Sequence, residues 1–363
     1  MRKRFMVFAV VTLLLSGALM SCSFTKQPVV NSEEPAIKES TVEDPAVEEL
    51  SIQLATINDT CDRACLENYM DTYLAAMKDN NPSLDLFTRD CKFTENGIQL
   101  PLGGEGLWYS MSDRANYSFY VPDIETRQVA FIGTVKEQGR PSRNGQPAKD
   151  IIVAVAIRLK IDDNGKICEA EQLAIRPETS LFEVEKDPAP STGDRVDMMG
   201  KPHPIYFEVI PENERMTREE LVKVGNYYFE GLQRNDGKGY YPFTDDCVRF
   251  ENGMDVLLQT NPTTGEKTRM TCKKQFEESL KGIVTRIRDR RFVAVDRERG
   301  IVFAFGFFDH LSINWTWQLA ELFKVEKGQI RRIEAVFLRG AYGINSGWST
   351  YQQGMSEEAQ SIK

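Results

Sequence analysis

The feature that most constrains this chain is an internal repeat. Leu86-Phe87-Thr88-Arg89-Asp90-Cys91-Lys92-Phe93-Thr94-Glu95-Asn96-Gly97 returns as Pro242-Phe243-Thr244-Asp245-Asp246-Cys247-Val248-Arg249-Phe250-Glu251-Asn252-Gly253, an offset of 156 from Cys91 to Cys247. A second landmark, Lys166-Ile167-Cys168-Glu169-Ala170-Glu171 through Arg176, returns as Gln329-Ile330-Arg331-Arg332-Ile333-Glu334 through Arg339, an offset of 163. Two landmarks in one order and at nearly one offset predict a duplicated domain. The chain has 363 residues, and the length left after its N-terminal segments suits two domains of ordinary size.

Those N-terminal segments read as an address. Met1-Arg2-Lys3-Arg4 is a positive leader, Phe5 to Leu15 is apolar and uncharged, and Leu19-Met20-Ser21-Cys22 closes the stretch with small residues before a cysteine. The apolar run is too short for a spanning helix and fits a secretory signal. The tetrad resembles the lipobox of bacterial lipoproteins, which implies lipidation of Cys22 and its exposure as the first mature residue. Ser23 is not the aspartate that usually signals inner-membrane retention in those proteins, so the resemblance implies an outer-membrane anchor facing the periplasm. An ordinary signal peptide cut near Ser21, or an uncleaved anchor, is the alternative. The predicted organisation is a signal at 1–22, an acidic tether at 23–58, domains at 59–176 and 217–339 around a Pro-rich connector at 177–216, and a tail at 340–363. Between Asn31 and Leu50 the tether has seven acids against Lys38 alone, too little apolar surface to offset chain entropy.

Charge excludes some partners. Lys and Arg number 45 against 54 Asp and Glu, a net charge of −9, and loss of Arg2, Lys3 and Arg4 makes the balance more negative. Nucleic acid and anionic lipid are therefore poor partners. Setting Cys22 aside leaves Cys61, Cys65, Cys91, Cys168, Cys247 and Cys272, an even set that in an exported chain suggests disulfides. Cys247–Cys272 is the simplest pairing in the second half. Buried thiols are the competing reading, because Cys91 and Cys247 hold matching places. With two histidines and no recurring short Cys spacing, no metal site is expected.

Each half reads as helix first, then strands. Asp59-Thr60-Cys61-Asp62 is a candidate N-cap, followed by Leu66, Tyr69, Met70, Tyr73, Leu74 and Met77 at helical spacing. Thr217-Arg218-Glu219-Glu220 is a capping box ahead of Leu221, Val224, Tyr228 and Leu232. A middle helix is expected over 275–282. Long strands then pair as hairpins, 291–296 with 300–309, 315–325 with 329–338, and 151–161 with 166–175. This order is α+β. The segment Ala320-Glu321-Leu322-Phe323-Lys324-Val325-Glu326-Lys327-Gly328-Gln329-Ile330-Arg331-Arg332-Ile333-Glu334 resembles the closing hairpin of the nuclear transport factor 2-like superfamily, which includes ketosteroid isomerase, scytalone dehydratase and the SnoaL-like polyketide cyclases. The resemblance implies two tandem cone-shaped α+β-barrel domains, each with N-terminal helices packed in a strongly curved antiparallel sheet and a pocket at its mouth.

Candidate chemistry concentrates in the second half. Along 300–310, Phe303, Phe305, Phe307 and Asp309 point one way and Ala304, Gly306, Phe308 and His310 the other. Both faces are apolar, so helices must cover one and a second sheet the other, supplied by the other half or by a second chain. His310, at a strand end, is either a catalytic or ligand-contacting residue or a capping or solvent-facing histidine. Trp315, Trp317, Leu319, Glu321 and Phe323 share a face, where Glu321 is either a general base with a raised pKa or the partner of a surface arginine. Arg286, Arg288 and Arg290 alternate and suit either that pairing or an anionic ligand. Glu95 and Glu251 precede Asn-Gly turns, which explain the Asn and Gly but not the acids. The glycine-rich stretch 102–109 lacks the basic residue of a phosphate loop and reads as a lip, with Trp108 and Tyr109 as pocket walls. His203, between two prolines, reads as packing. The primary expectation is a binding protein for a small apolar or aromatic molecule. The alternative is a cofactor-independent cyclase, dehydratase, isomerase or lyase with Glu321 or His310 as base; a purely structural pair of closed cones is the third.

Overall fold

The computed structural model describes residues 61–139, 149–177, 189–234, 236–278, 280, 282 and 284–360. The signal, Cys22, the acidic tether and part of the connector lie outside the described residues. In chain order the elements are α1 (Arg63–Lys78), β1 (Phe87–Glu95), β2 (Ile98–Gln99), α2 (Leu107–Ser110), β3 (Met111–Asp123), β4 (Gln128–Glu137), β5 (Ile151–Ile161) and β6 (Ile167–Ile175). The connector contributes α3 (Thr192–Met198). Then come α4 (Arg218–Arg234), β7 (Phe243–Glu251), β8 (Met254–Asp255), β9 (Leu258–Thr260), β10 (Lys267–Arg269), α5 (Cys272–Glu278), β11 (Arg286–Asp296), β12 (Ile301–His310), β13 (Trp315–Glu326), β14 (Gln329–Ala341), α6 (Tyr351–Gly354) and β15 (Ala359–Gln360).

The two large sheets share one strand order. The first runs β2-β1-β6-β5-β4-β3, and the second, read the same way, β8-β7-β14-β13-β12-β11 with β15 added at the edge. Each is antiparallel except where the strand after the first helix meets the last long strand, β1 with β6 and β7 with β14, and where β15 joins β11 at the edge of the second sheet; those pairs run parallel. Register shifts in β1, β3 and β11 mark bulges, which raise local twist and help bend the sheets into cones. The fold is α+β, with two tandem cone-shaped domains of strongly curved sheet around a long helix.

Local chemistry explains the starts and turns. Helix α4 opens with the expected box: Thr217 N donates to Glu220 Oε2 and Glu220 N to Thr217 Oγ1. Helix α1 takes Asp62 as its cap, with Cys65 N donating to Asp62 Oδ1, while Asp59 and Thr60 lie outside the described residues. In both Asn-Gly turns the two residues have positive φ, 52° and 78° at Asn96-Gly97 and 50° and 77° at Asn252-Gly253. Each Asn side chain then clamps the neighbouring strand, Asn96 at Ala174 and Asn252 at Phe337, through paired backbone hydrogen bonds. The repeated Asn is thus an anchor between first and last strands.

Three apolar clusters follow from period-two strands. One fills the first cone around Tyr73, Phe93 and Trp108; a second fills the other cone around Tyr228, Phe229 and Phe323. The third lies between the sheets, where Phe119, Ile132, Ala156 and Leu173 meet Ala294, Phe303, Phe305, Ala320 and Leu322. Phe303 and Phe305 of β12 are therefore covered by the other sheet of the same chain. Charged residues stitch this layer. Arg291 makes two 2.7 Å bonds to Glu171, both side chains buried, and Tyr117 donates to Glu334. At the rim the contacts are reciprocal: Arg63, first in α1, holds Asp296 at the end of β11, and Arg218, first in α4, holds Asp123 at the end of β3.

Several expectations change. The connector is not merely Pro-rich: Ser191 and Asp194 form a capping box for α3, which packs on β5. The tail straps back on the body, with β15 pairing parallel to β11 and Trp348 Nε1 donating to Thr94 Oγ1. Cys247 and Cys272 carry free thiols with sulfurs 2.7 Å apart, beyond the roughly 2.05 Å of a bond. The disulfide among the described residues joins Cys61 to Cys65, whose Cα atoms are 5.3 Å apart. Because that loop is short, replacing both cysteines by alanine is expected to cost at most about 2 kcal/mol in urea unfolding.

Candidate functional site

The second cone is not completely filled. A cavity of about 110 Å³ remains between α4, α5 and the sheet, walled by Leu232, Val256, Leu280, Val284, Phe308, Trp317, Leu319 and Phe337, with Ala335 opposite Glu321. Its polar lining is Arg249, Glu251, Gln275 and Glu321. Alternation on β13 accounts for Trp317, Leu319 and Glu321 sharing this wall, and β7 brings Arg249 and Glu251 to it from a strand two removed.

Glu321 is the unusual member. It is 1 % exposed, and its Oε1 has no hydrogen-bond partner. Burial pushes its carboxyl up to about 8, with the Glu251 charge adding to the rise, while the Arg249 charge and the Tyr228 hydroxyl pull the other way. Arg249 is held from three sides. Its Nε donates to Tyr228 Oη at 3.0 Å, its Nη1 to Gln275 Oε1 at 2.8 Å, and its Nη2 to Glu251. Gln275 is itself fixed by Val256 O. A proton-bearing carboxyl beside a fixed guanidinium, in an apolar pocket, can exchange a proton with a bound molecule and stabilise negative charge forming nearby.

The first cone shows the contrast. Phe93 stands at the position of Arg249, Ile157 at that of Glu321 and Gln172 at that of Ala335, by repeat and strand register. Trp108 fills the interior, fully buried, its Nε1 donating to Tyr73 Oη at 3.1 Å, which in turn donates to Gln172 Oε1. Trp108 is therefore a plug and not the wall of an open pocket, and Tyr109 is 74 % exposed. Glu95 is occupied by Leu107 N, Gln172 and Arg176. Replacing Trp108 by Phe removes the indole bond and some volume, and is expected to cost about 1–2 kcal/mol, read by thermal unfolding.

The other candidates are dispersed. His310 is buried at the end of β12, its ring 4.3 Å from that of Trp317. In the ladder it lies opposite Trp315, six residues from Ala304, the partner of Glu321, which is roughly 20 Å along the strands. His310 and Glu321 therefore cannot serve one reacting atom. Arg286 and Arg288 both bind Asp309 on the far face of the sheet. Burial works to raise the Asp309 carboxyl, yet hydrogen bonds from Arg288, Thr316 and Arg286 hold it below its usual range. The arginine stripe does not persist, because Asp289 adopts φ 50° and the register shifts there. Arg290 turns to Gln233 and Asn226 of α4, and burial brings its pKa down to about 10 against the pull of Glu230 and Glu357. Glu321 thus faces Arg249, not the expected surface arginines. His203 caps a short turn, with Ile205 N donating to its Nδ1.

Arg249, Tyr228 and Gln275 escaped the sequence reading. The available signal was the one polar replacement inside an apolar repeat position, Phe93 against Arg249. Among the described residues no group of His, Cys, Asp and Glu could hold a metal ion.

Residues 214–337, essentially the second cone, match a family model described as a domain of unknown function, DUF8021. No curated protein matches the chain. Solved structures that match include proteins described as NTF-2 like and SnoaL-like, and they align with about a third of this chain. An LEH-like epoxide hydrolase from M. tuberculosis is 14 % identical, covering 33 % of this chain and 84 % of its own, with a TM-score of 0.24. AusH from Aspergillus nidulans is 13 % identical, covering 34 % and 86 %, TM-score 0.25. An NTF-2 like protein of unknown function from Burkholderia xenovorans is 12 % identical, covering 36 % and 94 %, TM-score 0.23. Likenesses this distant carry no argument about activity.

Proposed function

We propose that the second cone binds a small, single-ring apolar or aromatic molecule whose one polar group meets Glu321, while the first cone serves as a closed structural partner. The observation that carries this is the unpartnered Oε1 of a buried carboxyl lining an otherwise largely apolar cavity. Buried polar atoms are almost always satisfied, so an orphan in a cavity points to a missing partner. The size favours one ring: an apolar cavity of about 150 Å³ accepts benzene, whereas drug-sized ligands need roughly 300 Å³ or more. Trp317 in the wall supplies a signal. Phenol titrated into the protein is expected to quench tryptophan fluorescence saturably, and Ala335→Phe, which fills the cavity opposite Glu321, is expected to abolish the effect. Equal quenching in wild type and Ala335→Phe would sink the reading.

A second reading, acid–base catalysis, is favoured by the position of Glu321 near neutrality. Its carboxylate would take a proton from a carbon next to a bound carbonyl, and the Arg249 guanidinium would stabilise the enolate. Deuterium exchange into a cyclic ketone, followed by NMR, tests it; exchange that survives Glu321→Gln unchanged rules Glu321 out as the base.

The reading extends to placement. An exported chain anchored through Cys22 accords with the Cys61–Cys65 disulfide, since such bonds persist in oxidising compartments. The shared strand order and the reciprocal Arg–Asp contacts support descent of both domains from one that paired with itself.

A further inference from the structure

At its Trp317 and Phe337 end the cavity adjoins a second space. Trp317 and Phe337, stacked with ring centroids 4.9 Å apart, line both the cavity and a groove of about 720 Å³ where the ends of the two sheets meet α3. Register places Glu321 opposite Ala335, Leu319 opposite Phe337 and Trp317 opposite Arg339. Alternate residues share a face, so Arg339 stands on the same face as Glu321, about 13 Å farther toward the groove.

The groove differs electrostatically from the rest of the chain. Its described lining includes Arg176, Arg195 and Arg339 and no Asp or Glu, in a protein of net charge −9. Arg176 is neutralised by Glu95 and Glu137. Arg195 spends its donors on neutral acceptors, Asn252 O, Pro190 O and Thr192 Oγ1. Arg339 is exposed and lies over the Trp315 ring at 4.9 Å, and the Trp315 Nε1 has no acceptor. Arg195 and Arg339 are thus groove-lining guanidinium groups without a carboxylate among the described residues. A ligand carboxylate is the group such cations hold most strongly.

We propose that the ligand of the second cone is an aryl acid: its ring sits in the cavity with a hydroxyl or carbonyl on Glu321, and its carboxylate, on an arm of a few atoms, is held by Arg339 and Arg195 in the groove. The proposal rests on the cavity being a ring site, and its test separates the two claims. Phenol, 3-(4-hydroxyphenyl)propionate and the methyl ester of that acid are titrated into the full-length protein by tryptophan fluorescence. The acid is expected to bind at least about tenfold more tightly than the ester, the energy of one charge-assisted hydrogen bond, with the advantage shrinking in high salt. Arg339→Gln, a change at an exposed side chain, is expected to erase the advantage and leave phenol and the ester unchanged. Equal affinity of acid and ester, or equal weakening of both by Arg339→Gln, overturns the anion assignment while the ring site stands. Binding of none of the three removes the ring site, and the aryl-acid proposal with it.

Discussion

Replacing Arg291 by leucine is expected to destabilise the protein by about 3–5 kcal/mol, because it strands the buried carboxylate of Glu171 between two apolar sheets. The pair is bidentate, with both bonds at 2.7 Å, and the side chains are 3 % and 2 % exposed. Arg158 lies 3.4 Å from Glu171 and supplies partial compensation, so the lower end of the range is the better expectation. The double variant Arg291→Leu with Glu171→Leu removes both charges and fits the surrounding Phe305 layer; it is expected to recover most of the loss. Chemical denaturation of wild type, both single variants and the double variant closes the cycle. A single variant within about 0.5 kcal/mol of wild type would show that the layer between the sheets is held by apolar contact alone.

The second large effect is on pH dependence. The Glu321 carboxyl titrates at about 8 in the fold against an ordinary value of 4.5. Between those pH values the folded state holds a proton that the unfolded state has released. Its contribution to stability is therefore complete below about pH 4.5 and is lost as pH rises to about 8, a change on the order of 5 kcal/mol. The groups facing it, Arg249, Tyr228 and Glu251, are included in that balance. Glu321→Gln is expected to flatten this decline and to exceed wild type in stability above pH 8. Urea midpoints measured from pH 5 to 9 check it. If the decline persists in the Gln variant, the carboxyl is ordinary and the proposed proton exchange has no basis.

Particular residues show how far sequence reached into this molecule. The run Trp315, Trp317, Leu319, Glu321 was readable because a strand assigns faces with period two, and β13 does turn Trp317, Leu319 and Glu321 into the cavity. The Asn-Gly turns were readable because few residues other than Asn and Gly tolerate positive φ. The arginine stripe failed because one residue, Asp289, in the left-handed region shifts the register, and alternation after it no longer holds. The bridge expected at Cys247–Cys272 found the right neighbours but the wrong bonding. Trp108 was misplaced because the same glycine-rich stretch can form a lip or drop a large ring inward; only the volume of the cone interior decides between them.

The sequence by itself determined much of the architecture: a helix followed by long strands in each half, apolar faces on both sides of those strands, and acids in or beside repeated turns. These are local properties, set by φ, ψ and side-chain period within a few residues. Only the tertiary structure decided where the Glu321 cavity lies, which cation faces Glu321, and that Arg195 and Arg339, near the ends of both sheets, have no carboxylate partner among the described residues. Those depend on side-chain volume and charge brought together from strands and helices tens to hundreds of residues apart, where no local period reaches. Arg249 and Glu321 are 72 residues distant in the chain and adjacent in the molecule.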